Sequence, residues 1–205
     1  MTVTRRFLLK AGSAVAALTA VVTPPQPAEA RGNAEVSPDA LGLLFDSTLC
    51  IGCKACVAAC KEANNMPPEF STVEHQWDTP LDISGKTLNI IKLWAEGTAD
   101  TKDSPTDGFA FVKKSCLHCV DPSCVSACPV SAMTKDKPTG IVGYDPDICI
   151  GCRYCVAACP FGVPRFQYDT ATPRIQKCQL CRHRLVEGKI PACAEVCTTG
   201  ANFFG

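Results

Sequence analysis

The sequence predicts an α+β fold with little regular structure, built as two similar units that interleave and are held together largely by what their cysteines bind. Three observations predict it. The 205 residues include 16 cysteines, far above ordinary usage, and they fall into four groups of four with none left over. Stretches of the chain recur 99 residues later. Past the N-terminus no apolar run approaches the ~18 residues of a membrane-spanning helix, and only short strand-like stretches remain. Twenty basic residues balance twenty acidic ones, so there is no positive excess to neutralise phosphates and a nucleic-acid partner is excluded.

Taken in order, residues 1–30 read as an export signal. Arg5-Arg6 stands directly before the small apolar run from Ala11 to Val22, Lys10 follows the pair, and Ala28-Glu29-Ala30 offers a small-x-small cleavage site after Ala30. The run is too short to span a membrane, and the twin arginine implies the twin-arginine (Tat) export machinery, which carries proteins already folded with their cofactors, and hence a periplasmic location. Cleavage removes three basic residues and one acidic residue, leaving 17 against 19, a net of −2.

The first cysteine group is Cys50, Cys53, Cys56 and Cys60, spaced C-x2-C-x2-C-x3-C. The second, Cys116, Cys119, Cys124 and Cys128, has a wider middle gap and is followed by Pro129. The third, Cys149, Cys152, Cys155 and Cys159, repeats the first spacing and precedes Pro160, and the fourth is Cys178, Cys181, Cys193 and Cys197. Three thiolates two residues apart wrap one cubic 4Fe–4S cluster, while the fourth, carried on by a turn of helix, reaches a neighbouring cluster. Zinc prefers two separated C-x2-C pairs, which only the fourth group resembles. Disulfides suit an exported protein but do not favour repeated x2 spacings, and C-x2-C bridges are usually redox-active. Iron–sulfur chemistry explains all four groups; zinc and disulfides each explain a part.

The repeat fixes the pairing. Phe45-Asp46, Leu49 to Cys53 and Cys56 to Cys60 recur as Tyr144-Asp145, Ile148 to Cys152 and Cys155 to Cys159, and Pro122 to Cys124 with Cys128 to Ala132 resembles Pro191 to Cys193 with Cys197 to Ala201. The chain therefore reads as two copies of a two-cluster unit. The inner copy, 116–159, shows its parts in the order of a bacterial two-cluster ferredoxin, with Ile141 to Tyr144 as a strand. The outer copy, 31–60 with 160–205, shows them reversed, from Leu43-Leu44-Phe45 to Ala201 to Phe204, so the two ends should pack together. Ligand exchange within each copy gives four sets: Cys50, Cys53, Cys56 and Cys197; Cys60, Cys178, Cys181 and Cys193; Cys116, Cys119, Cys124 and Cys159; Cys128, Cys149, Cys152 and Cys155. Short helices are expected over Val57 to Ala63, Val125 to Cys128 and Val156 to Cys159.

Residues 61–115 form an insertion, with strands at Leu88 to Trp94 and Phe109 to Lys113 and an exposed loop at Asp100 to Asp107. Trp77 and Trp94 either dock a partner subunit or complete a thin core, and the core is the simpler reading. His118, inside Cys116-Leu117-His118-Cys119, is expected to make a hydrogen bond or lie at the surface rather than ligate; His75 and His183 have no motif around them. Lys177, Arg182, His183, Arg184 and Lys189 either offset cluster charge or form a solvated face. Four clusters at about −2 each bring about −8, so the mature loaded chain carries about −10. No nucleophile–base pair or cofactor loop marks the chain as an enzyme by itself.

The cysteine frame, with Cys116 to Cys124 as CLHCVDPSC and Gly151 to Phe161 as GCRYCVAACPF, resembles the four-cluster electron-transfer subunits of membrane-bound oxidoreductases. That family includes the beta subunits of formate dehydrogenases and of dimethyl sulfoxide, polysulfide, tetrathionate and nitrite reductase systems. Gly42 to Cys50, Asn89 to Trp94 and the twin-arginine signal are most similar to the HybA-type iron–sulfur branch that serves periplasmic nickel–iron hydrogenase 2. The resemblance, over about 40–205, implies four 4Fe–4S clusters relaying electrons between hydrogenase small and large subunits and an integral membrane quinone-reactive or cytochrome subunit. A molybdopterin catalytic subunit is the alternative partner. Two features depart from the branch: its members continue into a tail with a membrane anchor, whereas this sequence stops at Gly205, so no anchor is carried over, and Thr198 stands where many relatives have proline.

Overall fold

The computed structural model describes residues 34–205 apart from Asp78 and Pro173; the export signal expected over 1–30 lies outside the described residues. Strand β1 (Leu43–Phe45) pairs antiparallel with the last strand, β9 (Asn202–Phe204), in the register Leu43↔Phe204 and Phe45↔Asn202. Backbone bonds extend the pair on both sides, from Gly42 N to Gly205 O at 2.6 Å and from Asp46 N to Ala201 O at 2.8 Å. A second two-stranded pair, β5 (Met133–Lys135) with β6 (Val142–Tyr144), has the same construction. Its flanking bond runs from Asp145 N to Ala132 O at 2.8 Å, and Asp145 and Ala132 are the repeat counterparts of Asp46 and Ala201.

Among the described residues five short α-helices complete the frame: α1 (Ala55–Ala63), α2 (Ser123–Ser126), α3 (Tyr154–Ala158), α4 (Arg182–Val186) and α5 (Ala192–Glu195). Helix α1 packs against α5 and α2 against α3. The expected helices exist but begin about two residues earlier than their spacing suggests. Lys54 and Arg153, at φ 59° and 64°, make the left-handed turn from which α1 and α3 start. The later two also end sooner. Cys159 is extended at φ −82°, ψ 113°, because the residue before a proline is forced out of the helical region.

The insertion forms a three-stranded sheet in the order β2 (Ile90–Ala95), β4 (Gly108–Lys114), β3 (Thr101–Lys102). Asp100 to Asp107 is thus mostly an exposed loop, but two of its residues pair in parallel with the start of β4. A small hairpin of β7 (Arg165–Phe166) and β8 (Ile175–Gln176) follows the third cysteine group. Among the described residues no helix is long and apolar enough to cross a membrane.

The core is divided into small parcels, and cysteine belongs to each. Cys50, Cys56 and Cys193 pack with Val57, Ile91, Phe111 and Ala201; Cys124 and Cys155 pack with Met133, Val142 and Ile175. A third parcel of Ile83, Ile90 and Val163 leans on Cys116 and Cys159. The two tryptophans do not complete this core. Trp77 and Trp94 are each 48% exposed, and Trp77 contributes only one ring face, tilted against Phe111 at 5.9 Å. The insertion is too thin to bury rings of that size on both sides.

Candidate metal centres

Each cysteine loop must turn sharply so that its N–H groups face inward, toward sulfur. Gly52 and Gly151 supply the turn at φ +70° and +68°, a region open to glycine at little cost. At Gly52 the space is needed too, since a Cβ there would lie 2.3 Å from the Phe111 ring. The result is a set of amide-to-sulfur hydrogen bonds: Gly52 N to Cys50 Sγ, Leu180 N to Cys178 Sγ and Met133 N to Cys128 Sγ, all at 3.4 Å. Side chains add more, with Asn64 Nδ2 3.7 Å from Cys60 Sγ and the Thr199 hydroxyl 3.9 Å from Cys197 Sγ.

Loops that point N–H groups inward point carbonyls outward, and buried carbonyls need donors. Lysines supply them. Lys135 Nζ donates to His118 O, Cys119 O and Gly140 O at 3.3, 2.9 and 2.8 Å. Lys102 Nζ donates to Ser47 O and Thr48 O at 3.1 and 2.8 Å, just ahead of Cys50. His118 takes part through its ring, where Nδ1 accepts from Val142 N at 3.0 Å. Burial, reinforced by the Lys177 and Lys135 charges, lowers its pKa to about 3, so the ring is neutral and its one N–H proton sits on Nε2.

The thiols meet as follows. Charge interactions link Cys50 to Cys53 and Cys197, and Cys56 to Cys50 and Cys53. They link Cys60 to Cys178, Cys181 and Cys193, and Cys124 to Cys116, Cys119 and Cys159. Cys155 is linked to Cys128, Cys149 and Cys152. Three further links run between these sets, from Cys56 to Cys193, from Cys178 to Cys116 and from Cys155 to Cys124. Cys60, Cys178, Cys181 and Cys193, together with Cys116, line one hollow. Cys128, Cys149, Cys152 and Cys155 line another.

Burial raises the thiol pKa to about 11 at Cys56 and Cys155 and to about 12 at Cys178, and moves Cys60 in the same direction. Metal-free, these thiols keep their protons, and a thiolate-binding metal must displace them. Burial would also raise Cys197, but hydrogen bonds from Asn202, Thr199 and Ala201 outweigh it and lower its pKa. Among the described residues no three His, Cys, Asp or Glu side chains converge on a point as they would on one ion. All-sulfur donor sets lining hollows, with amides aimed at the sulfurs, fit a polynuclear iron–sulfur cluster.

Sequence reasoning treated Lys177 as one of five basic residues in a run, but only Lys177 is buried. Arg184 pairs with Glu195 and Lys189 with Glu187 at the surface. Lys177 is 1% exposed and its ammonium contacts Val142 O, Cys178 O at 2.8 Å and Cys116 Sγ at 3.9 Å. Its position directly before Cys178 was the available signal.

Fold and thiol sets together define a ferredoxin-type 4Fe–4S protein. Residues 108–205 match the family described as 4Fe-4S dicluster domain and residues 43–62 that described as 4Fe-4S binding domain. Within that class the chain is similar to HybA-type proteins. It is 46% identical over 205 residues to the hydrogenase-2 operon protein HybA of Escherichia coli O157:H7, covering 98% of this chain and 62% of that protein. It is also similar to the iron-sulfur subunit of the nitrate-inducible formate dehydrogenase of E. coli K12, at 38% identity over 79% of this chain and 53% of that protein. Protein NrfC of the same strain is 40% identical over 80% of this chain and 64% of that protein. The chain thus spans about three fifths of the length of the HybA proteins that it matches.

Proposed function

We propose that this chain is a non-catalytic electron-transfer subunit that holds four 4Fe–4S clusters in two interleaved ferredoxin-like units and relays electrons for a hydrogenase. The ligand sets are Cys50, Cys53, Cys56 and Cys197; Cys60, Cys178, Cys181 and Cys193; Cys116, Cys119, Cys124 and Cys159; and Cys128, Cys149, Cys152 and Cys155. The observation that carries this reading is the hollow lined by Cys128, Cys149, Cys152 and Cys155, a set drawn from two motifs. The matched strand pairs β1–β9 and β5–β6 support the interleaving, with 31–60 and 160–205 as the outer unit, 116–159 as the inner one and 61–115 as an insertion.

When bound, each cluster supplies one-electron chemistry. The chain's own residues do the rest. They hold the sulfurs, direct N–H groups at them and exclude water from the middle of the molecule. The links between sets through Cys56–Cys193, Cys178–Cys116 and Cys155–Cys124 support a single row of four sites. At its two ends Cys53 and Cys152 are exposed, as an entry and an exit for electrons require. One end would face a hydrogenase catalytic subunit and the other an integral membrane, quinone-linked partner, in the periplasm after twin-arginine export of a folded, loaded chain.

Purified under anaerobic conditions, the protein should hold about sixteen irons per chain and co-purify with a nickel-containing partner. Zinc without iron would overturn the cluster reading. A molybdopterin-bearing partner would leave the clusters standing and replace the hydrogenase by a molybdenum enzyme.

A further inference from the structure

Lys177 occupies a position for which a carbonyl cap is an incomplete explanation. Its side chain is among the largest fully buried ones, at 1% exposure, and an isolated charge in such a place is costly unless an opposite charge meets it. Its hydrogen-bond partners are two carbonyl oxygens and the Cys116 sulfur, with no carboxylate among them. Three contacts use all three protons of an ammonium group. The counter-charge is therefore the one that cluster-bound thiolates would supply. Lys177 adjoins Cys178 in the chain and touches Cys116, and these two residues are where the second and third ligand sets approach each other. Burial dominates the Cys178 and Cys124 thiols and raises both, and the Lys177 charge opposes it at each. By contrast Lys135 and Lys102 cap cysteine-loop carbonyls without any such sulfur contact.

We propose that Lys177 is a positioning residue that places one fixed positive charge between the two middle cluster sites, raising the reduction potentials of both relative to the end sites. The proposal rests on the four-cluster reading above. Reduction adds a negative charge to a site, so a buried cation close to two sites favours reduction at both. Its surroundings are dry, so salt does not screen it as it would a surface charge. Electrons arriving at an exposed end would then settle preferentially in the middle of the chain.

The test is a redox titration followed by electron paramagnetic resonance on Lys177→Met and Lys177→Gln in the full chain, with iron counted in the same samples. Glutamine keeps hydrogen-bond donors and loses the charge. The expected result is that two of the four potentials fall in both variants, by at least tenfold in the reduction equilibrium, or about 59 mV for one electron. The other two should stay put. Four unchanged potentials at full iron content would overturn the proposal, as would a shift in the methionine variant that glutamine abolishes, since the hydrogen bonds would then be what matters. Loss of the middle clusters in both variants would also overturn it, making Lys177 a scaffold. A wild-type iron count far from sixteen would instead count against the four-cluster reading itself.

Discussion

At the level of single residues the fourth cysteine of each motif is the most informative. Cys60 and Cys128 sit in α1 and after α2, yet the thiols that interact with Cys60 and those that share a hollow with Cys128 belong to other motifs. Cys60→Ser should therefore damage the cluster of Cys178, Cys181 and Cys193 and spare that of Cys50, Cys53 and Cys56. Electron paramagnetic resonance of the reduced variant checks this, and loss of the other signal would refute the crossed ligation. Gly52 gives a second residue-level prediction. Gly52→Ala meets Phe111 at 2.3 Å on a left-handed backbone, for about 1–3 kcal/mol of overpacking plus about 1–2 kcal/mol of conformational cost. Gly188→Ala, at φ +73° with open space around it, should show the conformational cost alone. Denaturant midpoints of the loaded variants separate the two effects, and equal losses would mean that the ring simply moves. The cysteine spacing made the ligands legible in the sequence. The buried lysine was not legible, because Lys177 differs from Arg182 or Lys189 only in the carbonyls and sulfur that a distant loop brings to it.

Among the elements, α1 holds the insertion through buried side chains, Asn89 reaching back to Cys56 O at 3.3 Å and Lys61 reaching forward. Lys61, 6% exposed, donates to Lys86 O at 2.7 Å, to the Thr87 hydroxyl at 2.8 Å and to Pro67 O at 3.1 Å, and pairs with Glu69 at 3.1 Å. Lys61→Met should remove the lysine donor from the Pro67 and Lys86 carbonyls and the Thr87 hydroxyl oxygen, leaving Glu69 only the Thr87 hydroxyl, and cost about 1–3 kcal/mol. The loss should concentrate in the insertion, as faster hydrogen exchange over 64–89 with α1 unchanged. Uniformly faster exchange would show that the contact supports the whole fold instead. Strands β1, β6 and β9 could be read from the sequence because the repeat marks them twice. The β7–β8 hairpin and β3 could not, since two-residue strands have no alternation to detect. Helix starts were misplaced for a local reason: the left-handed Lys54 and Arg153 let α1 and α3 begin ahead of the cysteine that the spacing pointed to.

For the molecule as a whole, metal and fold stand or fall together. The apolar parcels are small, and each has cysteine at its edge or centre, so the bound clusters take the place of a continuous core. Removing iron with a chelator under reducing conditions should therefore abolish cooperative unfolding, with the visible absorbance and the folded circular-dichroism signal lost in step. A metal-free chain that still melted sharply would show that the apolar parcels suffice. The raised thiols set the direction with pH. Cys56, Cys155 and Cys178, at about 11 to 12 when metal-free, bind protons in competition with iron, so cluster assembly should grow easier as pH rises from acid toward neutrality.

The pairing of β1 with β9 also sets a schedule. A ribosome delivers Leu43 long before Phe204, so the sheet that closes the outer half cannot form until nearly all the described chain has emerged, whereas β5 and β6 emerge close together. Growing chains halted shortly after Cys159 should already protect residues 116–159 from proteases when iron is supplied, and the segment around β1 should acquire protection only once β9 has emerged. A late, long-range clasp of this kind makes the arrival of β9 the signal on which the first strand is finally secured.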